Sequence, residues 1–166
     1  MNAEELRALQ APIKEKYRSD PATARITLRA VGTADEGITC SVETGRELAK
    51  AGLHPDTGGE GGLACSGDML LQALVACAGV TLRAVSTAIG VPLRSARIVA
   101  EGDLDWRGTL GVSKETPVGF HAIRLRFELD SDATEEQKAT LLKLTERYCV
   151  ILQTLRTPPA IVSSIA

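Results

Sequence analysis

Aromatic residues are scarce in this chain of 166 residues: Phe, Tyr and Trp together make up 3% of it. That leaves little to stack on unpaired bases and excludes a single-strand nucleic-acid platform. Charge of one sign is missing too. Nineteen basic against 21 acidic residues give a net charge of −2, too balanced to draw the chain to nucleic acid or to an anionic membrane. The opening residues MNAEELRALQAPIKEKYRSD mix acids with bases and hold no apolar run. They do not read as a secretory signal, which points to the cytoplasm. No C-x-x-C occurs among Cys40, Cys65, Cys77 and Cys149, and His54 and His121 lie at no zinc-ligand spacing. No metal is expected, and four thiols in a cytoplasmic chain should stay mostly reduced. GGEGG at 58–62 lacks the Gly-Lys-Ser/Thr ending of a phosphate loop and reads as a plain loop.

What is present is 44% hydrophobic residues, drawn from Leu, Val, Ile and Ala, in a length that suits one domain. Residues 1–20 read as an N-terminal helical extension: Asn2 and Glu5 sit at capping-box spacing ahead of Leu6, Leu9 and Ile13. Residues 21–166 form the main domain. Its first strand is read at ARITLRAV (24–31), a turn at GTADEG, and the returning strand at ITCSVE (38–43), with Cys40 on the apolar face. A helical turn is read at 47–51. Residues 69–89 then form a helix apolar nearly all round, the mark of a buried central helix. Its unbroken apolar or small run, 73–82, is too short to cross a bilayer and is bracketed by Gln72 and Arg83. Ser66 caps it, Asp68 lies in its first turn, and Gly90 and Pro92 stop it.

Two strands follow, RIVAEGDLDWRG and VGFHAIRLRFELD. The second alternates strictly except for a slip near Ile123, and His121 falls on its surface face; Trp106 is placed at a strand end. Thr134 and Gln137 open an amphipathic helix over TEEQKATLLKLTERY, CVILQTL begins another, Pro158 and Pro159 end it, and AIVSSIA reads as a closing strand. The order is that of an α+β fold.

Two stretches carry the chemistry. SGDMLLQALVACAGVTL holds Cys77 in mid-helix, and TERYCVILQTL holds Cys149 at a joint between helical patterns, 72 positions on. Together, and in this order, they resemble the two cysteine motifs of the OsmC/Ohr family. The resemblance implies an antiparallel sheet with a long buried central helix, in an intertwined homodimer whose active sites lie at the interface. It implies thiol-dependent reduction of hydroperoxides, with Cys77 peroxidatic and Cys149 resolving. The family's activating arginine and helix-start glutamate fall on Arg46, in the loop after the first hairpin, and on Asp68. The implied partners are a small-molecule hydroperoxide, expected to be an organic one because an aliphatic-lined pocket accepts an alkyl tail, and a lipoyl-type or small thiol reductant; no bound cofactor, nucleic acid or membrane is implied.

The chemistry of thiols agrees with that scheme. A thiolate attacks a peroxide to give a sulfenic acid, and a second thiol captures it as a disulfide before over-oxidation. A buried mid-helix Cys77 loses by desolvation and calls for a cation, whereas Cys149 at a helix start can draw on N–H groups. Two other readings stay open: a non-catalytic binding or redox-sensing protein that keeps the fold but lacks the activating pair, and a zinc-binding structural protein.

Overall fold

The computed structural model describes residues 2–20, 31–34, 39–43 and 48–165. The first element, α1 (Ala3–Ser19), begins where Asn2 and Glu5 cap each other reciprocally, each backbone N–H donating to the other's side chain at 2.9 Å. The rest of the chain runs β1 (Val31–Ala34), β2 (Thr39–Glu43), β3 (Leu48–Gly52), β4 (Ala64–Cys65), α2 (Ser66–Ile89), β5 (Ser95–Asp103), α3 (Trp106–Thr109), β6 (Ala122–Asp130), α4 (Glu135–Tyr148) and α5 (Val150–Arg156). The elements divide into two compact units.

One unit comprises Met1–Glu15, Ala73–Val99 and Leu125–Ala166. Its core gathers Leu82, Val85, Val91, Ala133 and Leu141, closed over by Ile98, Phe127 and Leu144. Each fully buried leucine stabilises the unit by about 1.5–3 kcal/mol. The polar groups caught inside are satisfied locally: Ser86 Oγ donates to Val91 O at 2.8 Å and Thr145 Oγ1 to Leu141 O at 2.8 Å. Within it α2 buries one stripe, Leu74, Ala78, Leu82 and Val85, and leaves Ala73, Ala76, Val80 and Ala84 exposed. The helix apolar all round is thus half covered in a single chain. By length and composition α2 could also cross a membrane; its leucine stripe instead packs into the core, and Arg83 reaches forward to the carbonyls of Leu93 and Arg94. Gly90 ends it with φ +69°, a conformation only glycine adopts freely.

The other unit comprises Lys16–Gln72 and Ala100–Arg124. Its sheet has the order β1-β2-β3-β4, with β1–β2 and β2–β3 antiparallel and the short β4 parallel to β3. Two local expectations give way here. Gly32–Ala34, read as turn, are paired in β1 with Ser41, Cys40 and Val42 opposite. Leu48–Ala51, within the helical turn read at 47–51, belong instead to β3 (Leu48–Gly52), held to β2 from Glu43↔Leu48 to Thr39↔Gly52. The reason is tertiary: helix-favouring Leu, Ala and Lys yield to a neighbouring strand with free hydrogen-bonding groups. The stretch 24–30, the rest of the turn reading at 35–37, Ile38 of the returning strand, Arg46 and the Cys40 side chain lie outside what is described.

Strands β5 and β6 form a second sheet. Their ends are pinned antiparallel, by Arg94 N–H to Asp130 O at 3.0 Å at one end and His121 N–H to Asp103 O at 2.9 Å at the other. Along β6 burial alternates residue by residue after Ile123, which shares the covered side with Ala122, and His121 is exposed. Trp106 corrects its strand-end placement. Asp105 accepts from Arg107 N–H at 3.0 Å and caps a short helix, α3, that starts at Trp106. AIVSSIA is not a strand: residues 158–165 carry no regular structure, with Val162 92% exposed. An apolar run is a strand only when another strand lies beside it.

Candidate active site

Helix α4 starts at the Thr134–Gln137 capping box expected from sequence, with reciprocal bonds of 2.9 and 3.2 Å. It stops at Cys149, whose φ −73° and ψ 107° are extended, so this residue ends α4 and opens α5 at once. Cys149 N–H still donates to Thr145 O at 3.0 Å, and the first bond of the next helix is Gln153 N–H to Cys149 O at 2.9 Å. Between them the N–H groups of Val150, Ile151 and Leu152 have no acceptor in either helix. Those groups meet sulfur.

Cys149 is completely buried and Cys77, from the middle of α2, is partly so. Burial by itself raises the Cys77 thiol. The N–H of Ile151, the Cys149 side chain, the N–H of Val150 and the Thr81 hydroxyl outweigh it, and the net shift is downward. Cys149 moves the other way. Burial pushes it up, the N–H of Leu152 pulls against that, and the neighbouring Cys77 sulfur, by hydrogen bond and by charge, raises it further. The two shifts fit one arrangement, a Cys77 thiolate accepting from a protonated Cys149. This reverses the electrostatics expected from sequence: the free N–H end of α5 serves the mid-helix thiol, and the thiol at the joint stays protonated. Among the described residues, no charged side chain is one of the groups that lower Cys77.

Such a pair holds a nucleophile, a proton donor and a second sulfur in one place. The structure brings Cys77 and Cys149 together. Asp68 stands nine helical positions before Cys77, about 14 Å along the axis, and is exposed. It lines a different cleft of about 330 Å³, with His54, Cys65, Gly67, Asp103, Trp106 and Phe120. There His54 stacks on Trp106 with ring centres 5.0 Å apart and accepts from Asp56 N–H at 3.1 Å. Phe120 lies so close over Gly102 that a Cβ there would come within 2.6 Å of its ring. The sequence reading missed this cleft, whose residues follow no local pattern. It also missed Thr81, which stands at the i+4 position from Cys77 and was legible as a helical neighbour.

A long helix that sets one thiol against a second at a helix joint, in a mixed α+β chain, defines a protein built around a thiol pair. The chain belongs to the family of OsmC-like proteins, whose model matches residues 59–164. It is similar in fold to an OsmC-like protein from Mycoplasma pneumoniae, at 16% identity and TM-score 0.67, covering 80% of this chain and 89% of that one. It is also similar to an organic hydroperoxide resistance protein OsmC from Legionella pneumophila, at 20% identity and TM-score 0.62, covering 80% and 93%. A third likeness is to an organic hydroperoxide resistance protein from Vibrio cholerae, solved with captopril in one active site, at 19% identity and TM-score 0.58, covering 81% and 88%. Comparison with curated proteins gives no match.

Proposed function

We propose that this protein is a thiol peroxidase that reduces organic hydroperoxides, with Cys77 peroxidatic and Cys149 resolving. The Cys77 thiolate attacks the terminal oxygen of the hydroperoxide, the O–O bond breaks, and the leaving alkoxide takes a proton and departs as the alcohol. Cys77 is left as a sulfenic acid. Cys149 attacks that sulfur, water leaves, and a Cys77–Cys149 disulfide forms. A lipoyl-type dithiol or two equivalents of a small thiol return both sulfurs to the reduced state. No metal or bound cofactor enters. The observation that carries this reading is the placement of Cys77 of α2 beside Cys149 at the α4–α5 joint, where the first N–H groups of α5 have no acceptor in either helix; the lowered Cys77 and raised Cys149 agree with it. The names of the Legionella and Vibrio relatives point the same way.

The working unit in this proposal is a cytoplasmic homodimer in which 21–166 is the OsmC-like domain and 1–20 an extension. Its active sites lie at the interface, with Arg46 as the arginine that supports the Cys77 thiolate and Asp68 as the carboxylate that reaches that arginine. Neither nucleic acid nor membrane takes part. The reading is tested by titrating free thiols with stoichiometric cumene hydroperoxide: rapid loss of two thiols per chain is expected. Slow loss favours the second reading, a non-catalytic binding or redox-sensing protein. The observation on that side is that the first turn of α2 offers Ser66 and Gly67 where the family carries its glutamate, with Asp68 displaced by one position.

A further inference from the structure

The break at Cys149 strands three carbonyls, those of Glu146, Arg147 and Tyr148, as well as three N–H groups. In an unbroken helix Glu146 O would accept from Val150 N–H. Here Val150 opens α5 and its N–H is among the groups that lower the Cys77 thiol, and the Gln153 side chain takes its place at the carbonyl: Nε2 donates to Glu146 O at 2.7 Å. The carboxylate of the same Glu146 pairs with Arg156, at 3.1 Å to Nη2 and 3.3 Å to Nη1. Gln153 and Arg156 lie three positions apart on one face of α5, and both close back on a single residue of α4. Two such ties, one to the backbone and one to the side chain, fix the angle between the helices. Ile151, Leu152 and Leu155 of this seven-residue helix are half-buried, and the two ties add direction to that packing.

We propose that Gln153, Glu146 and Arg156 are positioning residues whose bonds hold α5 at the angle that aims the Val150 and Ile151 N–H groups at Cys77 Sγ. The proposal rests on the reading of Cys77 as the reacting thiolate and adds what keeps it reactive. Hydrogen bonds to sulfur weaken steeply once the donors turn away. Loosening the brace therefore lowers the thiolate fraction near neutral pH without touching either cysteine.

The test is the rate at which iodoacetamide alkylates Cys77 in the reduced full-length protein, followed by peptide mass spectrometry across the titration range of a thiol. Gln153→Met keeps the length of the side chain and removes its donor. It should react about 3- to 10-fold more slowly near pH 7 and at the wild-type rate at high pH, where every thiol is ionised. Glu146→Gln leaves the carbonyl for Gln153 and breaks the ion pair with Arg156. Loss of a negative charge alone would speed alkylation of Cys77, whereas a loosened brace slows it by about 2-fold. A lower melting temperature with an unchanged rate–pH profile in Gln153→Met overturns the proposal, because the bond would then only cap α4. If that variant does not fold, Glu146→Gln decides, and faster or unchanged alkylation overturns it. Peroxide consumption is measured alongside: slowed alkylation in a wild-type background that consumes no peroxide leaves the positioning in place and removes the peroxidase reading.

Discussion

At Cys77 three kinds of neutral donor among the described residues, backbone N–H, hydroxyl and thiol, already outweigh the cost of burial. The lowered value means that the thiolate persists as pH falls below the usual thiol range, near 8.5, and is lost only through the lower value. Cys149, raised by burial and by its neighbour, stays protonated over the same interval. Iodoacetamide near pH 7 should therefore label Cys77 well before Cys149, and equal labelling would contradict the assignment. The two serine variants should part in the same way. Cys77→Ser should abolish turnover, whereas Cys149→Ser should consume about one equivalent of peroxide and stall as a sulfenic acid that dimedone traps. The wild type should give a Cys77–Cys149 crosslink by mass spectrometry after oxidation, and a crosslink to Cys65 instead would sink the assignment. Both cysteines were legible in the sequence, since each sits in a recognisable stretch. Their electrostatics were not, because the deciding donors are backbone groups more than 70 positions from Cys77 and exposed only by the helix break.

Elements held by their own local signals came through from sequence: α1 and α4 start at the capping boxes read there, α2 ends at Gly90, and α5 ends before Pro158. Those decided by a neighbour did not. Leu48–Gly52 became a strand because β2 lies beside it, and the AIVSSIA run found no strand to join. Trp106 moved into a helix on the strength of one carboxylate, Asp105, bonded to Arg107. The α4 cap sits at the far end of the helix that delivers Cys149, so it bears on stability and not on the sulfur. Thr134→Ala should lower stability by about 1 kcal/mol, a fall of roughly 2–4 °C in Tm. Its Cys77 alkylation profile should match the wild type. A changed profile would mean that the far end of α4 also sets the joint, which the local bonds of Gln153 and Glu146 do not require.

Taken as a single chain, the molecule leaves apolar surface uncovered among its described residues. On α2 the exposed stripe Ala73, Ala76, Val80 and Ala84 repeats at helical spacing, with Val80 74% exposed, opposite the stripe that packs into the core. Its small side chains let a second backbone approach closely. At the chain's end Ile161 and Ile165 stand 84% and 102% exposed. Soluble monomers rarely present contiguous apolar patches of this kind. The homodimer proposed above would cover it by burying the α2 stripe near its two-fold axis, with an expected interface above about 2,000 Å² in total, as obligate dimers tend to have. Light scattering at micromolar concentration should give twice the chain mass, and a stable monomer would rule the assembly out. Val80→Asp places a carboxylate where the two stripes would meet, and a symmetric interface places it there twice. Burying two unpaired like charges costs several kcal/mol, enough to weaken association by 100-fold or more. Val80→Asp should therefore run as a monomer at concentrations where the wild type is dimeric, with its α-helical circular dichroism retained, because this side chain faces away from the core of its own chain.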